Sequence, residues 1–359
     1  MRDALAERLL ASVMQWTPAD VAEQRPKLQA LAAFKYDEYQ QFSPGMRFVE
    51  SLALWLKQFG TADERHAAYE FVLSRLVFLS HAEMAHFAAI AYPDVIRPVF
   101  IDRAANDTGL PFFHVSKVLA ADTFKNLEAA SLFFGLSDGA RIDLFRRSNK
   151  ELSHEQIFAS YEISSDKVRD IRTWLDEKRG HKDVAPAIVL LDDFTASGTS
   201  CLTAKDNNAR GKLATFIARV KQTEEWKAVA SFPKTRIVVV FYVATEQALD
   251  NIKNGAEILR AKEGIDITLH CVQRISNEIV LDRSQEDPMT DLIRKYYDPL
   301  AKEQHPEWGG DVPFGYKDGG LPLVIHHNTP NNSIFVLWAE DSEVVRPLFP
   351  RVSRHRRET

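Results

Sequence analysis

Apolar residues recur at three- and four-residue spacing through the first 95 positions, which predicts amphipathic helices. Two segments show it most clearly: Met46–Phe59 (MRFVESLALWLKQF) and Ala67–Phe78 (AAYEFVLSRLVF). Between them Thr61-Ala-Asp-Glu64 offers a Thr and a Glu at the spacing of a capping box. Residues 1–95 are therefore expected to form a helical N-terminal subdomain. From about residue 130 the pattern changes to short apolar runs that end in turn signals. Ala130–Leu136 ends at Ser-Asp-Gly, Ala187–Leu191 at Asp-Asp, and Arg236–Ala244 at Thr-Glu, while Ile265–Val272 follows a helix expected over 246–262. Near-continuous β-branched runs separated by helices predict strands buried on both faces of a parallel sheet. The expected fold class is α/β, with this core over 96–285. Residues 286–359 read as a C-terminal extension: a helix over Met289–Tyr297, strands at Leu321–Ile325 and Ile334–Trp338 joined by a polar turn, and a basic tail from Arg346 to Arg357. No internal repeat or low-complexity segment interrupts the chain.

Composition narrows the class without naming a chemistry. Of 359 residues 45% are hydrophobic and 26% charged, the balance of an ordinary globular protein. The formal net charge of -5 gives no general attraction to nucleic acid. Two cysteines, Cys201 and Cys271, are too few for a disulfide framework or a four-thiolate zinc site. No run reaches the ~20 apolar residues that span a bilayer, and the first residues carry acids where a signal peptide needs an apolar stretch. A cytoplasmic protein without a membrane partner is expected.

Candidate chemistry concentrates in Val189–Ser200, VLLDDFTASGTS. Two acids at a strand end, Asp192 and Asp193, can accept hydrogen bonds from vicinal hydroxyls or hold a divalent cation through oxygen. Gly198 permits a tight turn, and the amides of Ala196, Ser197, Gly198, Thr199 and Ser200, with three hydroxyls, can wrap a phosphate. A helix is expected to follow from Cys201 to Lys205. A buried strand with a capping turn would need only one acid and no phosphate nest. A Walker A loop and a dinucleotide fingerprint are both missing.

Strand, paired acids and a short loop closing on Gly-Thr-Ser resemble the phosphoribosyl-pyrophosphate signature of the type I phosphoribosyltransferases. The resemblance implies that Asp192 and Asp193 hold the ribose hydroxyls and organise Mg2+, and that residues 196–200 cradle the 5′-phosphate. It also implies an earlier loop for pyrophosphate. By position this is Ser137, Asp138, Gly139 and Arg141, a stretch that reads equally as an ordinary turn. The loop that shields the reaction in that family would be Arg146–Glu155, with Arg146, Arg147 and Lys150 facing pyrophosphate; an exposed helix start is the other reading. The chain departs from the purine-salvage members at Ala196, where several of them carry an acid.

The helical N-terminus and the segment Gly315-Tyr-Lys-Asp-Gly-Gly320 to His326-His-Asn-Thr-Pro-Asn-Asn332 look like the phosphoribosyltransferase-like proteins with a C-terminal extension of bacterial conflict systems, some beside retron reverse transcriptases. The resemblance implies an enzyme acting at the anomeric carbon of phosphoribosyl pyrophosphate or a nucleotide. It further implies a toxic antiphage effector with a protein or nucleoprotein partner such as a reverse transcriptase complex. A nucleotide-sensing subunit that keeps the pocket without the chemistry is the alternative, and an interaction scaffold a third. His326, His327, Asn328, Asn331 and Asn332 are either a hood over the sugar-phosphate site or a turn, since Asn tolerates left-handed backbone and Pro fixes φ.

Overall fold

The structure is a computed structural model and describes residues 3–40, 47–179, 183–299, 312–339 and 345–351. Nine strands occur among the described residues: β1 (Val77–Leu79), β2 (Leu132–Gly135), β3 (Ile157–Phe158), β4 (Ala187–Thr195), β5 (Thr203–Lys205), β6 (Asn208–Arg210), β7 (Arg236–Thr245), β8 (Ile267–Ile275) and β9 (Leu323–Ile325). The chain divides into two compact units, Met1–Glu83 with Glu278–Thr359, and Met84–Asn277.

In the first unit the N-terminal helices and the C-terminal segment share one core. Leu52, Trp55, Phe71 and Phe78 pack there with Leu292, Phe335, Leu337 and Phe349. The helix Ala62–Ser74 begins with the capping box anticipated at Thr61 and Glu64. Two expectations are corrected. Residues 1–95 are not helical throughout, because Val77–Leu79 leaves the helix to pair in parallel with Leu323–Ile325. That pairing joins two segments the sequence places in separate blocks. Ile334–Trp338 is not a strand: Phe335–Trp338 is a helical turn, held by Ala339 N–H donating to Phe335 O at 3.1 Å. A five-residue apolar run fits either element, and here long-range bonds decide, with Trp55 Nε1 reaching Val336 O at 2.9 Å. The basic tail beyond Arg351 lies outside the described residues.

The second unit is the expected α/β core. Its five-stranded sheet has the order β3-β2-β4-β7-β8, with every neighbouring pair parallel. Ile188, Leu190, Val239 and Phe241 pack on one face with Leu175, Phe216 and Trp226. On the other face Phe133 meets Tyr92 and Phe145, at ring distances of 6.2 and 5.7 Å. Both faces are covered, which accounts for strands without polar alternation. The chain steps from β2 outward to β3 and then returns past β2 to β4. Strand order therefore reverses between β2 and β4, and their carboxyl ends flank the crevice where open parallel sheets bind ligands. Among the described residues no helix is long and apolar enough to cross a membrane.

Candidate active site at the carboxyl ends of β2 and β4

The apolar run of β4 does not stop at the acids: the strand continues to Thr195 and carries Asp192 and Asp193 into the sheet at 7% and 9% exposure. Alternation along the strand points the two carboxylates to opposite faces. Asp192 Oδ1 accepts the hydroxyl of Ser137 and, at 3.1 Å, the N–H of Asp193. Asp193 Oδ1 accepts the N–H of Phe194 at 2.8 Å. The loop after β2 thus closes on both acids. A Cβ at Gly139 would stand 2.9 Å from Asp193 Oδ2, so only glycine lets the loop backbone come this near. Arg141 follows in left-handed conformation at φ 49°. Of the four residues named for this loop, Ser137, Gly139 and Arg141 are brought to the acid pair by contact or charge, and Asp138 is exposed.

Burial governs the charge of the pair. It raises Asp192 above the ordinary carboxylate range, opposed by the Ser137 hydroxyl and the charge of Lys212. Asp193 is pushed up to about 7, by burial first and by the charge of Asp192 second, against the Phe194 N–H and Arg141. Two acids so close share their protons as a unit. The site is therefore primed for cations and hydroxyl donors, either of which would relieve the buried charge.

The loop beyond β4 is held from the far side by the helix Glu246–Glu263. Its N-cap, Thr245, accepts from Ala248 N–H at 3.0 Å and donates to Ala196 O at 2.5 Å, while Asn251 Nδ2 donates to Ser197 O at 2.9 Å. Gly198 takes φ 72°, and a Cβ there would lie 2.7 Å from Ala248 O. Several of the loop's carbonyls are thus engaged behind it. The N–H groups of Ser197, Gly198, Thr199 and Ser200 find no acceptor among the described residues. Ser197 and Thr199 share a hydroxyl hydrogen bond of 2.9 Å beside them. Such a run of unengaged amides can accommodate an anion.

The helix expected at Cys201–Lys205 is replaced by a hairpin, β5 and β6, turned by Asp206 and Asn207 at φ 51° and 57°. The helix Lys212–Gln222 starts only after it, yet it completes the loop: Lys212 N–H donates to Ser200 O at 3.0 Å and Leu213 N–H to Cys201 O at 3.1 Å. Gly211 permits the splice at φ 119°, where a Cβ would lie 2.4 Å from Cys201 O. Lys212 consequently brings its charge to Asp192 from twenty positions along the chain, and Thr245 and Asn251 support the loop from further still. Sequence reasoning missed all three; the Asp-Asn pair at 206 and 207 was the one local signal of the hairpin. Cys201 is buried, and burial pushes its thiol up to about 12, so it offers no nucleophile.

Arg146–Glu155 is not an extended loop. Arg146 and Arg147 close the helix Ile142–Ser148, Arg146 is tied to Ile157 O, and Ser153 caps a turn over His154–Gln156. The five residues considered as a hood belong to the first unit. There His326 N–H donates to Leu79 O at 2.8 Å, and its ring stands 5.3 Å from that of His81 and 5.0 Å from that of His327. Asn328 Oδ1 accepts from Thr329 N–H at 3.0 Å, Asn331 O accepts from Tyr316 N–H at 2.7 Å, and Asn332 Nδ2 donates to Tyr316 O at 2.8 Å.

Among the described residues no group of three or more His, Cys, Asp or Glu side chains could hold a metal ion. Either buried carboxylate suits a cation that takes a single protein oxygen and completes its shell with phosphate and water, as magnesium does.

No curated protein matches the chain. A family model described as PRTase-CE matches residues 52–351, a span that includes the parallel sheet, the acid pair, the phosphate-sized loop and most of the C-terminal segment. The chain belongs to the PRTase-CE family, phosphoribosyltransferase-like proteins with a C-terminal extension.

Proposed function

We propose that the protein binds phosphoribosyl pyrophosphate or a nucleotide together with magnesium and acts at the anomeric carbon of the ribose. The observation that carries this reading is the run of four unengaged amides, Ser197 to Ser200, directly beyond two buried carboxylates. The amides and the hydroxyls of Ser197, Thr199 and Ser200 take the 5′-phosphate. Asp192 and Asp193 accept the ribose hydroxyls, which orients the sugar with its anomeric carbon toward the loop of Ser137 and Gly139. Arg141 and Lys212 offset the negative charge gathered there. Asp192 and Asp193 would hold the magnesium, which when bound supplies charge neutralisation for a leaving pyrophosphate. The bond from the anomeric carbon to the leaving oxygen breaks, its electron pair departs with pyrophosphate, and the acceptor's lone pair forms the new bond. Turnover of labelled phosphoribosyl pyrophosphate by the wild type, compared with Asp192→Asn/Asp193→Asn, tests the assignment. Equal turnover by both would sink it.

A second reading, a nucleotide-sensing subunit without chemistry, draws on Ala196. Its methyl is 5% exposed and its carbonyl is engaged by Thr245, so the fifth position of the motif offers no proton carrier. Tight nucleotide binding by calorimetry with no product by mass spectrometry would favour this reading over the first.

The biological setting we propose is a cytoplasmic toxic effector of antiphage defence, working with a nucleoprotein partner such as a reverse transcriptase complex. Family membership together with the C-terminal segment supports it. Growth arrest on expression of the wild type but not of Asp192→Asn/Asp193→Asn is the expected result; equal growth would overturn the toxic role.

A further inference from the structure

One fully buried polar group beside the acid pair is not used by the chemistry above. Asp192 pairs with Phe241, and Phe194 with Val243, across the parallel β4–β7 ladder. Asp193 and Tyr242 are the residues between these pairs, so they stand side by side on one sheet face, on strands about 4.8 Å apart. Tyr242 is 0% exposed, and its hydroxyl has no hydrogen-bond partner among the described residues. A phenol keeps its proton at neutral pH, so this hydroxyl is a donor on the sheet face that carries Asp193. A buried hydroxyl without a partner lowers the stability of a fold, and phenylalanine would fill the same space without that cost. A group that only costs stability in the ligand-free chain is accounted for when its partner is engaged during function.

We propose that Tyr242 is a positioning residue: its hydroxyl donates to the Asp193 carboxylate across one water and orients that carboxylate toward ligand. Asp193 is then held on two sides. Backbone acts from its own strand through the Phe194 N–H and from the β2 loop through the close approach of Gly139, and the phenol acts from β7. This role rests on the sugar-phosphate reading of the site.

The test uses Tyr242→Phe, Asp193→Asn and the double variant in the full chain, with ligand-free thermal unfolding and calorimetry against phosphoribosyl pyrophosphate with magnesium. Tyr242→Phe is expected to unfold at the wild-type Tm or about 1–3 °C above it, yet to bind roughly 10-fold more weakly. In the Asp193→Asn background it should cost no further affinity. A tyrosine with no part in positioning would leave affinity at the wild-type value, whatever its effect on Tm. Binding by Tyr242→Phe within twofold of wild type, or fully additive losses in the double variant, overturns the proposal. Should the wild type bind no sugar phosphate, that reading falls and the ligand-free cycle decides: non-additive Tm shifts for Tyr242 and Asp193 uphold the pairing, and additive shifts end it.

Discussion

The hydroxyl of Ser137 donates to Oδ1 of Asp192 across 55 positions of sequence. This bond ties the loop after β2 to the acid at the end of β4, the two strands between which the sheet order reverses. It also supplies the strongest opposition to the burial that raises Asp192.

Ser137→Ala removes that donor, so the Asp192 carboxylate is disfavoured further and its pKa rises. Ligands that need the ionised acid should bind roughly 10-fold more weakly near pH 7, the worth of a hydrogen bond to a charged group. The acidic limb of the binding profile should move to higher pH. Calorimetry from pH 5 to 9 measures both, and an unmoved limb would argue against the Ser137–Asp192 bond.

Asp193 carries a stability cost with a definite sign. Its folded pKa of about 7 lies above the 3.8 of an unburied aspartate, so between these the folded state binds the extra proton. Its contribution to stability is full below about pH 4 and is lost as pH rises through about 7. Asp193→Asn should therefore raise the stability of the ligand-free protein at pH 8, by on the order of 4 kcal/mol. Near pH 4 the two proteins should unfold alike. Parallel Tm curves across the range would contradict the buried, raised acid.

Gly198→Ala and Gly264→Ala separate backbone strain from steric conflict. Both glycines have positive φ, 72° and 66°, but an added Cβ at Gly198 meets Ala248 O at 2.7 Å, whereas at Gly264 nothing lies within 4 Å. Gly264→Ala should cost about 1 kcal/mol. Gly198→Ala should cost about 2–4 kcal/mol and abolish phosphate binding, because the loop must move off its helix. Chemical unfolding and phosphate titration give the comparison.

Thr245→Val keeps the shape of the side chain and removes both the cap of the helix Glu246–Glu263 and the anchor of Ala196 O. A loss of about 1–3 kcal/mol is expected, with faster exchange of the Cys201 and Leu202 amides, which donate to Gly198 O, than of amides elsewhere in the sheet. Exchange that quickens uniformly would mean that Thr245 does not hold the loop.

Much of the core was legible in the chain. The strands at Leu132, Ala187 and Arg236 appear as apolar runs because a sheet covered on both faces needs apolar side chains there, while Ile267–Ile275, at the sheet edge, mixes in Thr268, His270, Gln273 and Arg274. The acid pair and its small-residue loop are legible because they lie together within a dozen residues. Ile334–Trp338 misled because a short apolar run satisfies a strand or a helical turn equally.

What the sequence by itself determined is therefore the strands of the parallel sheet and the placing of two acids and a small-residue loop in VLLDDFTASGTS, both written in local pattern. The tertiary structure alone decided which distant groups act on that stretch: Ser137 on Asp192, Gly139 and Tyr242 beside Asp193, Thr245 behind Ala196, and Lys212 returned to the loop by a hairpin. Strand register, the order reversal between β2 and β4, and the splice at Gly211 set those neighbours. Each depends on packing between segments tens of residues apart, which no local spacing encodes.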